Sequence, residues 1–136
     1  MNNIFNHSIL VAGASGMVGS AIIKLLKKKL PKDSFKNKQI LAPSRNELNY
    51  LDTNSVFNWF EINKPNIVII AAAKVGGIIA NNSSPSSFLI ENLKIQNNLI
   101  EASFKFEVKR LLFLGSSCIY PKYANQPIKE EYLLNN

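Results

Sequence analysis

Cysteine and histidine are almost absent from this chain, which carries only Cys118 and His7. A single thiol excludes an internal disulfide and any cysteine-based zinc site, and a single imidazole removes His-rich metal constellations. Metal chemistry is therefore set aside. Long apolar runs are also missing. The longest stretch, Ile67 to Ala80, is shorter than the roughly 18 residues a membrane span requires and carries Lys74 near its middle. The opening MNNIFNHS is polar, with no basic-then-apolar signal region, so a cytoplasmic address is expected. Glycine and proline number only six each, and 46% of the 136 residues are apolar against 18% charged. Disordered and fibrous chains have other compositions. The length suits one domain around one core, without room for two.

Negative charge is scarce as well, and the net charge is +7. That excess is local, because seven of the fourteen lysines lie between Lys24 and Lys38. Lysines at a helix end favour its negative pole, and Phe35 is the only aromatic residue among them. A solvated face is expected there, with no nucleic-acid partner. His7, ahead of the first strand, is expected at the surface.

What is present reads as alternating elements. Ser8 to Ala12 is a short apolar run ending at Gly13, and Met17, Val18, Ala21, Ile22, Leu25 and Leu26 then recur at helical spacing. That helix should stop by Leu30, because Pro31 disfavours helical geometry in the residue before it. Gln39 to Ala42 predicts a second strand. Asp52 or Thr53 can cap a helix carrying Val56, Phe57, Trp59 and Phe60, and Pro65 separates it from the all-apolar run Ile67 to Ala73. A run without alternation suits a strand buried on both faces of a parallel sheet. Ser84 and Pro85 form a helix start, with Phe88, Leu89, Ile95, Leu99, Ile100 and Phe104 following at helical spacing. Arg110 to Leu114 is the fourth strand. This order predicts a doubly wound parallel α/β sheet. Lys122 to Asn136 has weak periodicity and no further strand, so the fold is expected to be incomplete at its C-terminus.

Gly13-Ala14-Ser15-Gly16-Met17-Val18-Gly19 spaces glycines three residues apart between the first strand and the first helix. There a pyrophosphate would meet free backbone N–H groups, as in Rossmann-type NAD(P)-binding folds. A purely structural turn is the alternative. At the end of the second strand, where an acid would accept from a ribose 2′-OH, stand Pro43, Ser44 and Arg45. A guanidinium fork suits a 2′-phosphate, which favours NADP(H) over NAD, the alternative being a solvated arginine. Asp33 sits in the lysine-rich loop, out of reach of a ribose.

The chain resembles the GDP-L-fucose synthase family of extended short-chain dehydrogenase/reductases. The GxxGxxG spacing carries the resemblance, together with RNELNYLD at 45 to 52, AAAKVGGIIANN at 71 to 82 and LLFLGSSCIYPK at 111 to 122. That family serves nucleotide-sugar biosynthesis. It epimerises the carbons flanking the keto group of GDP-4-keto-6-deoxy-D-mannose and then reduces that group with NADPH. The resemblance implies that Gly13 to Gly19, Leu114, Gly115, Ser116 and Ser117 contact NADP(H), that Arg45 holds its 2′-phosphate, and that Leu51 and Asp52 border the adenine. It further implies that Ala71, Ala72 and Ala73 line the path towards the nicotinamide, and that Lys74, Val75, Gly76, Gly77 and Ile78 border the sugar. Two catalytic roles follow: Ser116 polarises the keto oxygen, and Cys118 is an acid or base in epimerisation. From composition alone Cys118 would read as a small buried hydrophobe.

Two departures stand out. Ser15 occupies a position where the family often has a basic residue. No YxxxK pair exists, because Tyr50, Tyr120, Tyr123 and Tyr132 are followed four residues on by Asn54, Ala124, Pro127 and Asn136. Residues 1–136 are thus expected to form the N-terminal part of a dinucleotide-binding domain, without the sugar-nucleotide domain and inactive alone. The partners expected are a nucleotide-sugar substrate if the enzyme is completed, a second copy of the chain, or a complementing C-terminal polypeptide. A non-catalytic NAD(P)-binding module, or a piece of another nucleotide-sugar epimerase or dehydratase, stands as the alternative.

Overall fold

A computed structural model describes residues 7–133. Four strands, β1 (Ile9–Ala12), β2 (Ile40–Leu41), β3 (Ile67–Ile70) and β4 (Arg110–Phe113), form one sheet in the order β2-β1-β3-β4. Every neighbouring pair is parallel, with Leu10 opposite both Leu41 and Val68, and Val68 opposite Leu111. Helices α1 (Met17–Lys29), α2 (Thr53–Asn63), α3 (Ile78–Ser83) and α4 (Pro85–Lys105) make the crossovers.

The unalternating strands face two apolar layers at once. Ile9 and Val11 pack with Ile40 and Leu30, against Ile22, Ile23 and Leu26 of α1. Leu10 and Ala12 point the other way, onto Val56 and Phe60 of α2 and Leu99 and Ala102 of α4. Each fully buried large apolar side chain contributes roughly 1.5–3 kcal/mol. The sheet centre therefore holds the fold together.

Several boundaries differ from the sequence expectation, each for a local reason. β3 stops at Ile70 instead of Ala73: Ala71 N–H still reaches the Ala12 carbonyl at 2.9 Å, but β1 then bends away at Gly13. β2 is two residues long rather than four, with Pro43, which has no backbone N–H to donate, soon after it. Ser84 and Pro85 begin α4 as expected, yet the Ser84 hydroxyl caps nothing. Its backbone also closes α3, a helix absent from the sequence reading, by donating to the Ala80 carbonyl. Asp52 is the N-cap of α2, accepting from the amides of Asn54 and Ser55 at 2.9 and 3.2 Å. His7 is half-buried rather than at the surface.

The apolar spacing of α4 overstates its burial. Of the residues expected at its apolar positions only Leu99 is buried, whereas Phe104 is 87% exposed. All four residues of β4, at the sheet edge, are exposed too. Lys27, Lys28 and Lys29 occupy the last turn of α1, where cations suit the helix dipole, and Lys27 lies 4.9 Å from the centre of the Phe35 ring. Among the described residues no helix is long and apolar enough to cross a membrane.

Candidate functional site

From β1 the chain runs to β2 on one side, and β3 flanks β1 on the other, which leaves a crevice at the carboxyl ends of the strands. The glycine turn forms its floor. Gly13 takes a positive φ of 85°, and a Cβ there would stand 2.7 Å from the Ala71 carbonyl and the Ala72 nitrogen. Only glycine satisfies both demands. Gly16 donates to the Gly13 carbonyl at 3.0 Å and is the N-cap of α1. Gly19, buried one turn on, packs so closely that any Cβ would overlap the Gly13 carbonyl. It braces the turn from behind.

This packing leaves the start of α1 bare. No side chain caps it, its first turn contains no acid, and the amides of Met17 and Val18 meet no acceptor among the described residues. Unpaired N–H groups and the positive end of the helix dipole suit a diphosphate.

Above the turn lies a cleft of about 760 Å³. Gly13 to Val18 line its floor, Arg45 and Leu51 the β2 side, and Ala71 to Val75 the β3 side. Glu91 is the only acid lining it among the described residues, and its carboxylate is taken up by Lys74 and Ser87. Those hydrogen bonds hold the Glu91 pKa below the usual glutamate value, that from Lys74 most strongly. Glu47, just beyond β2, is likewise engaged: it accepts from the Ser44 amide at 2.8 Å and the Ser44 hydroxyl at 2.7 Å, which lower its pKa. Arg45 makes no ion pair among the described residues. The β2 side thus presents a free cation and no free acid.

Other residues singled out in the sequence fall outside this cleft. Gly19 stands behind the turn and Asp52 is spent on its cap. Gly77 is the N-cap of α3 and Ile78, 81% exposed, is its first residue. Gly76 packs tightly, since a Cβ on it would meet the Phe88 ring at 2.8 Å. Leu114, Gly115, Ser116, Ser117 and Cys118 follow β4 on the exposed edge, none of them lining the cleft. The Ser116 oxygen accepts the Cys118 amide at 3.2 Å, capping the short 3-10 turn Ser117–Ile119, and the Cys118 thiol is free and exposed.

Tyr50 was not anticipated. Its phenol oxygen accepts the Gly13 amide at 3.4 Å from the wall of the cleft, and burial pushes its pKa up. Its carbonyl takes a hydrogen bond from Asn98, which accepts in turn from Thr53. Among the described residues no group of three or more His, Cys, Asp or Glu side chains could hold a metal ion.

Comparison with known proteins bears on this geometry. The model of the NAD dependent epimerase/dehydratase family matches residues 9–136. A GDP-L-fucose synthase from Sinorhizobium fredii is 48% identical over 126 residues, which cover 93% of this chain and 38% of that protein. A GDP-mannoheptose C4 reductase from Campylobacter jejuni, solved with NADP bound, superposes with a TM-score of 0.83 at 36% identity, covering 96% of this chain and 39% of that one. A GDP-L-fucose synthetase from Naegleria fowleri bound to NADP superposes with a TM-score of 0.76 at 26% identity, covering 96% and 37%. The chain thus spans less than two fifths of the length of these relatives.

Proposed function

The chain belongs to the NAD dependent epimerase/dehydratase family, and from that membership we propose that it supplies the NADP(H)-binding part of a GDP-L-fucose synthase. The observation that carries this reading is the cleft itself. Bare amides at the start of α1 suit the diphosphate, and across the floor stands Arg45, a cation with no competing free acid on its wall. An unpaired guanidinium beside β2 distinguishes NADP(H) from NAD(H) through the 2′-phosphate. The two NADP-bound relatives support the same choice.

When bound, NADPH supplies the reducing equivalents. The residues of this chain bind and orient it, and the open edge beyond β4 carries the groups for the sugar. The Ser116 hydroxyl donates to the keto oxygen of the substrate, and the Cys118 thiol exchanges a proton at the carbons beside it. No tyrosine here has a lysine four residues on, so residues 1–136 bind the cofactor without completing the reduction. The exposed apolar β4, with Leu112 and Phe113, fits a complementing polypeptide or a second copy. The reading carries a cytoplasmic location.

A chimera tests this reading: residues 1–136 joined to the remaining part of the Sinorhizobium enzyme, assayed with GDP-4-keto-6-deoxy-D-mannose and NADPH. GDP-L-fucose should form, and Ser116→Ala or Cys118→Ser should abolish its formation while NADPH still binds. A folded, NADPH-binding chimera that makes no GDP-L-fucose refutes the substrate assignment. The Campylobacter likeness favours a second reading, reduction of a different GDP-linked keto sugar. Turnover of a GDP-4-keto-heptose by the same chimera would decide for it.

A further inference from the structure

Beyond Ala71 the polypeptide leaves β3 with no strand beside it, yet Lys74 is tied to α4 through both main chain and side chain. Asn92 makes a two-way amide pair with it: Oδ1 accepts the Lys74 N–H at 2.7 Å, and Nδ2 donates to the Lys74 carbonyl at 2.9 Å. Nδ2 also donates to the Phe88 carbonyl at 2.8 Å. One amide side chain thus offers the donor and acceptor that a residue of a neighbouring strand would offer. The Lys74 ammonium adds a second tie, 2.6 Å from Ser87 Oγ and 2.5 Å from Glu91 Oε1, with the centre of the Phe88 ring 5.2 Å away. Ser87, Phe88, Glu91 and Asn92 all lie on α4 near its start. The wall from Ala72 to Val75, which has no ladder of its own, is held to a 21-residue helix instead.

We propose that Asn92 is a positioning residue that sets the β3-side wall of the cleft, presenting a preformed surface to the nicotinamide half of NADP(H). This rests on the cofactor reading above. The strand order β2-β1-β3 puts that wall across the glycine turn from Arg45. Asn92 should therefore matter for one half of the dinucleotide and not for the other. A role confined to joining α4 to the sheet would change stability without separating the halves.

The test compares NADPH with adenosine 2′,5′-bisphosphate, which has the 2′-phosphate and lacks the nicotinamide, by calorimetry on the 136-residue chain. Loss of one or two hydrogen bonds predicts that Asn92→Ala weakens NADPH about tenfold and leaves the bisphosphate within about twofold. Hydrogen exchange at the Lys74 amide should accelerate in parallel. Should that variant not fold, Asn92→Asp reads the same ratio, because it keeps the acceptor for Lys74 N–H and removes both donors. Equal weakening of the two ligands, or no weakening of either, overturns the inference and leaves the cofactor reading standing. Failure of the unaltered chain to bind either ligand overturns both.

Discussion

The strands β1 and β4 lie in the same sheet, separated only by β3, and differ in almost everything else. β1 is buried along its whole length between two helical layers, and its glycine turn opens into a cleft whose one lining acid among the described residues, Glu91, is already engaged by Lys74. β4 is exposed along its whole length, and the Ser116 and Cys118 that follow it do not line that cleft. The proposed binding and chemistry are thus separable. The cleft proposed for the dinucleotide is built by local packing within these residues, whereas Ser116 and Cys118, proposed for the sugar, stand on an edge left exposed among the described residues.

The sharpest way to break the buried side is Gly13→Ala. Forcing a side chain into a positive φ and against Ala71 combines strain of about 1–3 kcal/mol with overpacking of about 1–3 kcal/mol. Urea unfolding should show a loss of that order, and NADPH binding should disappear. Unchanged binding would mean that the turn is not the cofactor floor.

A paired truncation measures the contrast directly. Leu10→Ala, fully buried, should cost about 2–5 kcal/mol, whereas Leu112→Ala, half exposed on β4, should stay within about 0.5 kcal/mol. Similar losses would erase the distinction between the strands.

Arg45→Ala sharpens the comparison inside the cleft. Hydrogen bonds to a charged group contribute about 1.5–3 kcal/mol, so NADPH should bind roughly 10–100 times more weakly while NADH is unaffected. Equal weakening of both cofactors would place the guanidinium elsewhere than at the 2′-phosphate.

The smallest effect concerns pH. Glu91 has a lowered pKa in the folded chain, caused first by Lys74. Its contribution to stability is therefore present above the ordinary glutamate pKa and lost as pH falls through and below that range. Glu91→Gln should flatten this part of the stability profile, by little, since a third of each partner's side chain is exposed. An unaltered acid slope would show that the pair contributes nothing.

Much of this was legible in the sequence because the relevant signals are local. Unalternating apolar runs marked the four strands, Gly13 to Gly19 marked the turn, and Pro31 and Pro65 marked where helices could not continue. The rest depends on contacts between distant residues. Tyr50 meets Gly13 across 37 residues and Asn92 meets Lys74 across 18, and neither pairing leaves a periodic trace. α3 is six residues long, too short for an amphipathic signature. Periodicity in α4 told which residues share a face, but not whether that face is covered, and so Phe104 looked like core while standing almost fully exposed.

The proposal that residues 1–136 alone form a cleft selective for NADP(H) is decided by titrating the 136-residue chain with NADPH and with NADH, followed through the fluorescence of the reduced nicotinamide. One NADPH should bind saturably, tighter than NADH by about tenfold or more, as one charge-assisted contact to the 2′-phosphate would give. Equal affinities, or no binding of either, would contradict it.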